Sequence, residues 1–257
     1  LNHERTTSPS NIKIFIDFDG TITCEDVGDA LFETFGGKQC LEFIRLYREE
    51  KLSAIECFRR ESNACGLVDK TALDAFLDSR EIDSTFASFI DFCRAKGFTC
   101  TIVSDGMDYY IQRILKRHGL GHVPFLANTL DLVPADDSPN VRLVPSFPTT
   151  DEVCDRCACC KRNHMLSLTG DDDVLVYIGE GYSDRCPARY ADIVFAKDEL
   201  LKHCRQENIP YFEYRTFSEI RQRFEGLLAA HGTHVNRLGF RKRRRAELAR
   251  REVFMSE

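Results

Sequence analysis

The stretch Ile12 to Phe18, IKIFIDF, is a short run of apolar, largely β-branched residues that breaks off into the turn residues Asp19, Gly20 and Thr21. Apolar on both faces and bounded by a turn, it suits a strand buried on both sides of a sheet. The pattern recurs at Phe98 to Ser104 (FTCTIVS), Asp173 to Gly179 (DVLVYIG) and Ala191 to Ala196 (ADIVFA). Helical segments precede the second and third of these, from near Ser84 to Gly97 and from about Asn163 to Leu168. Strands alternating with helices make βαβ units and predict an α/β fold around a mainly parallel sheet. With 257 residues, 43% of them hydrophobic, such a core needs no covalent staples.

The residues between the first strand and the helix before the second read as helical only. Glu25 to Gly37 has helical spacing and stops at a glycine pair, and Ser53 to Gly66 opens on a capping box, Ser53 with Glu56. An all-helical insertion there predicts a cap, residues 24–83, over a core made of residues 11–23 and 84–215. Residues 121–160, with five prolines, read as an irregular or hairpin segment, and residues 216–257 as a C-terminal helix and basic tail.

The twelve cysteines are mostly scattered, without the paired spacing of a disulfide framework, which predicts a reducing, cytoplasmic setting. The N-terminus is polar and no apolar run approaches the ~20 residues that span a bilayer, so no membrane partner is expected. The net charge of −6 conceals an asymmetry: residues 236–257 hold eight basic and three acidic residues, the remainder 27 basic and 38 acidic. The five consecutive basic residues Arg241 to Arg245 could bind nucleic acid. Little aromatic interleaving and no reader motif favour instead a solvated helix, docked on the acidic body or on a neighbouring subunit of a homo-oligomer.

In open parallel sheets ligands bind beyond the carboxyl ends of the strands. There the first strand delivers Asp17, Asp19, Gly20 and Thr21, the second Ser104, Asp105 and Gly106, and the third Gly179, Glu180, Gly181 and Asp184. A single Asp-Gly pair after a strand is ordinarily a turn, but here three loops of one crevice coincide. The pattern D-x-D-G-T alone arises by chance about once in 10⁵ positions at average usage.

DFDGTIT at 17–23, IVSDG at 102–106, Lys161 and GEGYSD at 179–184 resemble, in order, the four motifs of the haloacid dehalogenase (HAD) superfamily, in the branch with a cap after the first motif. The resemblance spans residues 12 to about 215. It implies a Rossmann-like core with an inserted helical cap, and a Mg²⁺-dependent hydrolase of small phosphorylated metabolites that works through an aspartyl phosphate. Asp17 would be the nucleophile and Asp19 the general acid and then base; Ser104 and the backbone N–H groups of Asp105 and Gly106 would hold phosphoryl oxygens. Lys161 would supply fixed positive charge to the transition state. The implied metal ligands are Asp17, the Asp19 carbonyl, Glu180 and Asp184, with Glu180 standing where the family pattern has the shorter Asp. More narrowly, CACCK at 157–161, FAKDELLKHCRQENIPY from Phe195 and SEIR from Ser218 are similar to methionine-salvage phosphatases acting on 2-hydroxy-3-keto-5-methylthiopentenyl 1-phosphate. Phosphoserine phosphatases are the next relatives. A phosphate-binding scaffold that keeps the fold without turnover is the alternative from another class, motivated by Glu180.

Two features stay open. Cys154, Cys157, Cys159 and Cys160, with His164 nearby, could form a structural zinc site, but they crowd one segment instead of forming two separated knuckles. Reduced thiols packing the approach to Lys161 are the favoured reading, with zinc and a redox-labile disulfide as alternatives. Asp26 is placed either to cap a helix or to reach substrate from the cap. Tyr109 and Tyr110 either touch substrate or pack against the cap.

Overall fold

The computed structural model describes residues 12–135, 138–151, 154–231 and 243–255. In chain order, β1 (Ile12–Ile16) is followed by α1 (Val27–Gly36), α2 (Gln39–Arg48), α3 (Ala54–Cys65), β2 (Leu67–Asp69) and α4 (Lys70–Asp78). Then come α5 (Phe86–Ala95), β3 (Thr99–Met107), α6 (Asp108–Arg117), β4 (Phe125–Pro134), β5 (Asn140–Ser146) and α7 (Lys161–Ser167). The chain continues through β6 (Val174–Gly179), α8 (Arg185–Tyr190), β7 (Ile193–Ala196), α9 (Asp198–Gln206), β8 (Phe212–Glu213), α10 (Phe217–His231) and α11 (Arg244–Met255). One sheet runs β2-β5-β4-β3-β1-β6-β7-β8. It is parallel from β4 to β8 and antiparallel where β5 joins β4 and β2 joins β5.

Both faces of the central strands are buried, as their near-continuous apolar sequences require. Ile14 and Ile16 of β1, with Val176 and Ile178 of β6, face one core layer; Phe15, Leu175 and Tyr177 face the other. On the first side α5 and α10 interleave aromatic rings: Phe217 lies 4.7 Å from Phe86 and 5.3 Å from Phe89 between centroids. On the second side Met165, Ala188 and Leu200, from α7, α8 and α9, close over the sheet. Local signals act as read: Ser53 Oγ accepts the Glu56 N–H at 3.2 Å to open α3, and Asp26 Oδ1 accepts the Asp29 N–H at 2.8 Å to open α1.

Two expectations need correction. The insertion after β1 is not helical throughout: β2 pairs antiparallel with β5, Val68 opposite Val141. A three-residue strand is too short for periodicity to reveal, and its partner lies some 70 residues away in sequence. The strand starting near Phe98 does not stop at Ser104 but continues to Met107, with its register against β4 shifting between Val103 and Met107. Ser104, Asp105 and Gly106 thus sit in an irregularity within β3, of the kind that re-aims side chains beside active sites. Of the two readings of the proline-rich segment the structure shows the hairpin, β4 with β5, and Pro134 and Pro145 stand at ladder positions opposite Val141 and Leu130.

Of the basic run, Arg241 and Lys242 lie outside the described residues. Arg243 and the helix α11 pack on the body around Asp192. The Asp192 carboxylate accepts from Arg243 N at 2.9 Å and Arg250 Nη2 at 3.2 Å with one oxygen, and from Leu175 N at 3.0 Å with the other.

Candidate active site

β1 ends where Asp17 begins, and the chain turns at once. Gly20 sits at φ +66°, a left-handed conformation that glycine accepts without strain, and the N–H groups of Thr21, Ile22 and Thr23 all point at the Phe18 carbonyl, 2.9–3.2 Å away. The turn sets Asp17 and Asp19 on one side of the loop. β6 ends at Gly179, where a Cβ would stand 2.5 Å from Asp184 Oδ2. Its absence lets Asp184 fold back and accept the Glu180 and Gly181 N–H groups at 2.8 Å each.

Lys161, the first residue of α7 and 1% exposed, delivers its ammonium between these two loops. Nζ donates to Asp17 Oδ1 at 2.6 Å, Asp184 Oδ1 at 2.7 Å and Ser183 Oγ at 3.0 Å. Tyr177 OH donates to the same Asp184 oxygen at 2.5 Å. All of Asp184's acceptor capacity is therefore taken by Lys161, Tyr177 and two backbone groups. As placed, Asp184 anchors Lys161 and the loop rather than offering an oxygen to a metal.

Asp19 is held by three groups: Oδ1 accepts Val27 N–H at 3.2 Å, and Oδ2 accepts Tyr110 OH at 2.7 Å and Ser104 Oγ at 3.3 Å. Gly106 permits this approach, since a Cβ there would overlap the Tyr110 hydroxyl. Ser104 Oγ also accepts the Gly106 N–H at 2.9 Å. The Asp105 carboxylate turns away to accept the N–H groups of Ala158 and Cys159, both at 2.7 Å. It thus pins the cysteine segment against β3.

Electrostatics follow from this crowding. Burial, then the neighbouring Asp184 charge, pushes the Asp17 carboxyl well above the usual range against the pull of Lys161. Burial and then Asp26 hold Asp19 up to about 8, so its acid form is present at neutral pH. Burial, then Asp184 and Asp26, raises Glu180 to about 7. Asp184 goes the other way: burial opposes ionisation, but Lys161, Tyr177 and the Gly181 N–H outweigh it and lower its pKa. For Lys161 burial likewise opposes the charge, and Asp17 and Asp184 more than restore it.

A cavity of about 270 Å³ opens in front of Asp17, Asp19 and Glu180. Asp105 and Gly106 reach its floor; Asp26, Arg48, Phe58 and Glu61 come from the insertion after β1. Asp26 both caps α1 and lines this space, so the two roles envisaged for it coexist. Ser104 and Lys161 lie beneath the cavity lining, in contact with Asp19 and Asp17. Sequence reasoning missed Tyr177, whose hydroxyl is invisible in an apolar strand pattern, and Glu61, which reads there as one more polar residue of an amphipathic helix. Tyr110 lines the cavity and also lies against the insertion, where a Cβ on Gly28 would stand 3.3 Å from its hydroxyl, and that hydroxyl serves Asp19. Tyr109 takes the cap-packing reading, donating to Asp74 of α4 at 2.5 Å.

Among the described residues no three His, Cys, Asp or Glu side chains converge as a metal cage. The zinc alternative for the cysteine segment is therefore not supported: the thiols turn to separate partners. Cys159 Sγ lies 3.1 Å from His164 Nε2 and 3.4 Å from Thr149 Oγ1, and Cys157 Sγ points to the Ser183 carbonyl at 3.9 Å. Mg²⁺ makes a different demand, needing one or two carboxylates and otherwise keeping waters and substrate oxygens. Asp17, the Asp19 carbonyl and Glu180, which leans over Gly20 where a Cβ would stand 2.9 Å from Oε1, are hard oxygen donors of that kind. The raised Asp17 and Glu180 carboxyls mark negative charge that Lys161 alone does not balance.

A family model described as haloacid dehalogenase-like hydrolase matches residues 14–189. A 2-hydroxy-3-keto-5-methylthiopentenyl-1-phosphate phosphatase of Bacillus cereus (strain B4264) is 28% identical over 223 residues, covering 85% of this chain and 98% of its own. Among solved structures, a HAD family hydrolase of Salmonella enterica serovar Typhi superposes with a TM-score of 0.64 at 19% identity, over 83% of this chain and 71% of that one. A phosphoserine phosphatase captured as a phospho-aspartyl intermediate analogue gives 0.62 at 18% identity, over 83% and 99%.

Proposed function

The chain belongs to the haloacid dehalogenase-like hydrolases, and from that membership together with its likeness to curated phosphatases we propose a covalent route through Asp17 on a small phosphate monoester. The observation that carries the reading is the Lys161 ammonium bound to Asp17 Oδ1 at 2.6 Å, directly behind the cavity that Asp19 faces. Lys161 fixes the Asp17 carboxylate so that its other oxygen can attack phosphorus in line, forming an aspartyl phosphate as the ester oxygen departs. Asp19, held in its acid form and oriented by Tyr110 and Ser104, protonates that oxygen. The resulting Asp19 carboxylate then takes a proton from the water that attacks the aspartyl phosphate, returning both residues to their starting states. The backbone N–H of Asp105 would hold a phosphoryl oxygen, joined by that of Gly106 once it turns from Ser104 Oγ, to which it donates at 2.9 Å. Mg²⁺, held by Asp17, the Asp19 carbonyl and Glu180, would neutralise the phosphate charge against this acidic floor.

For the substrate, similarity to the Bacillus enzyme over nearly its whole length favours 2-hydroxy-3-keto-5-methylthiopentenyl 1-phosphate. The fold likeness to phosphoserine phosphatase supports the alternative ester. Steady-state hydrolysis of an aryl phosphate, with Mg²⁺ or with chelator and with Asp17→Asn, tests the chemistry. Activity that needs Mg²⁺ and vanishes in Asp17→Asn is expected; activity surviving that substitution rules out the aspartyl phosphate. Competition between the two named esters then decides the substrate.

A further inference from the structure

Glu61 lies on α3, 42 residues beyond Asp19 in sequence but in the same cavity as Asp17 and Asp19. It is 3% exposed, and its Oε1 is buried without a hydrogen-bond partner. The Cys57 thiol, one turn back on α3, is a hydrogen-bond partner of the carboxyl, but Oε1 itself is left without one, and a buried acceptor without a donor is costly. The wall around it is otherwise apolar or acidic: Ile44, Ala54 and Phe58 on one side, Asp26 and Asp29 on the other. Arg48 is the basic residue this wall contributes, and it leans to Asp29 at 3.4 Å.

We propose that Glu61 is a specificity residue for the leaving alcohol, accepting a hydrogen bond from a hydroxyl of a neutral, partly apolar alcohol esterified to phosphate. The inference rests on the phosphatase reading above and narrows its substrate class. A donor from the substrate completes Oε1, and the apolar side of the wall packs against the rest of the alcohol. A leaving group with its own negative charge meets Asp26 and Asp29 on the acidic side of the wall and is disfavoured by like-charge repulsion. Burial, then the Asp29 and Asp26 charges, raises the Glu61 carboxyl to about 9, so the group enters the cavity protonated and Oε1 faces a neutral ligand without an ion to desolvate.

Three alkyl phosphates test this: glycerol 3-phosphate, propyl phosphate, which lacks its hydroxyls, and O-phosphoserine, which adds a carboxylate. The wild type is expected to favour glycerol 3-phosphate over propyl phosphate by roughly tenfold in kcat/KM, the worth of one hydrogen bond, and mainly through KM. Phosphoserine should be the poorest of the three. Glu61→Met should erase the preference while Glu61→Gln, which keeps a carbonyl acceptor, retains most of it. Equal turnover of the first two esters by the wild type, a preference that survives Glu61→Met, or a preference for phosphoserine overturns the proposal. The wild-type comparison needs no variant to fold. Should the wild type hydrolyse no ester at all, an aryl phosphate included, it is the phosphatase reading that fails. Calorimetric titration of glycerol 3-phosphate against propyl phosphate then still decides about Glu61, equal affinities overturning it.

Discussion

Replacing Lys161 by Met keeps most of the side-chain volume and removes the ammonium from two carboxylates at 2.6 and 2.7 Å. Both Asp17 and Asp184 are buried, so neither can turn to solvent. Breaking a buried pair from one side costs about 3–5 kcal/mol, because the charge left behind is uncompensated. That is a large part of a domain stability of about 5–15 kcal/mol, and at a urea dependence of about 2–3 kcal/mol per molar it moves the unfolding midpoint down by more than 1 M. The effect has a definite pH sign. Lys161's folded pKa is raised, so its contribution holds below the unfolded value near 10.4 and fades above it; Asp184's is lowered, so its contribution holds above about 3.9 and fades as pH falls through the folded value. In the variant both carboxyls lose their counter-charge and shift upward, so protonation relieves them as the pH falls. The deficit relative to wild type should therefore be full at pH 8 and shrink by pH 5. Urea melts at the two pH values, in chelator, measure it; the double variant Lys161→Met/Asp184→Asn should recover part of the loss at pH 8. A midpoint shift below about 0.3 M at pH 8, or a deficit that does not change with pH, would refute the account of Lys161 as the charge holding the two loops together.

Tyr110→Phe removes the O–H that holds Asp19's pKa down, so the basic limb of the kcat profile, set by the acid form of Asp19, should move upward from about 8 by roughly 0.4–1 pH unit. An unmoved limb, read from initial rates between pH 6 and 10, would separate Tyr110 from Asp19's titration. Glu180→Ala should raise the Mg²⁺ concentration for half-maximal turnover by about tenfold or more, and an unchanged Mg²⁺ curve removes Glu180 from the metal site. Asp192→Ala deletes the acceptor shared by Leu175, Arg243 and Arg250 and should cost about 1.5–3 kcal/mol, with earlier proteolysis of the C-terminal helix as its signature. Equal proteolytic lifetimes of variant and wild type would show that the helix is held elsewhere.

The parallel core was legible because β1, β3, β6 and β7 are apolar on both faces, a pattern set by local chemistry. That Asp17, Asp19 and Glu180 meet in one crevice was legible because each stands just past a strand end, whereas Lys161 was marked only by the family resemblance. What was not legible depends on partners distant in sequence. Asp184 looked like a metal ligand by type and spacing, and only the placement of Lys161 and Tyr177 shows its oxygens already engaged. Asp105 was read only for its backbone N–H, and the hold of its carboxylate on residues 158 and 159 depends on a segment some fifty residues further along the chain. Glu61 carries no local mark at all; its isolation arises from the packing of α3 against α1 and the cavity between them. The four crowded cysteines are free thiols on the approach to Lys161, the reading favoured from the sequence, and among the described residues no three of them converge as a metal cage.

The three-residue ladder between β2 and β5 bears on how substrate gets in. The insertion is joined to the sheet through its two chain connections and, at its far side, by these interchain-like backbone bonds to a hairpin that is itself zipped to β4. A body tied to the sheet by this ladder as well as by its two chain connections has to break backbone hydrogen bonds before it can swing clear like a hinged lid. Such an entrance admits molecules by width before it judges them by chemistry, and slender esters pass where branched or macromolecular phosphates stall. Cutting the second tether, for instance with Val68→Pro, would trade that sieving for faster exchange of ligand with solvent.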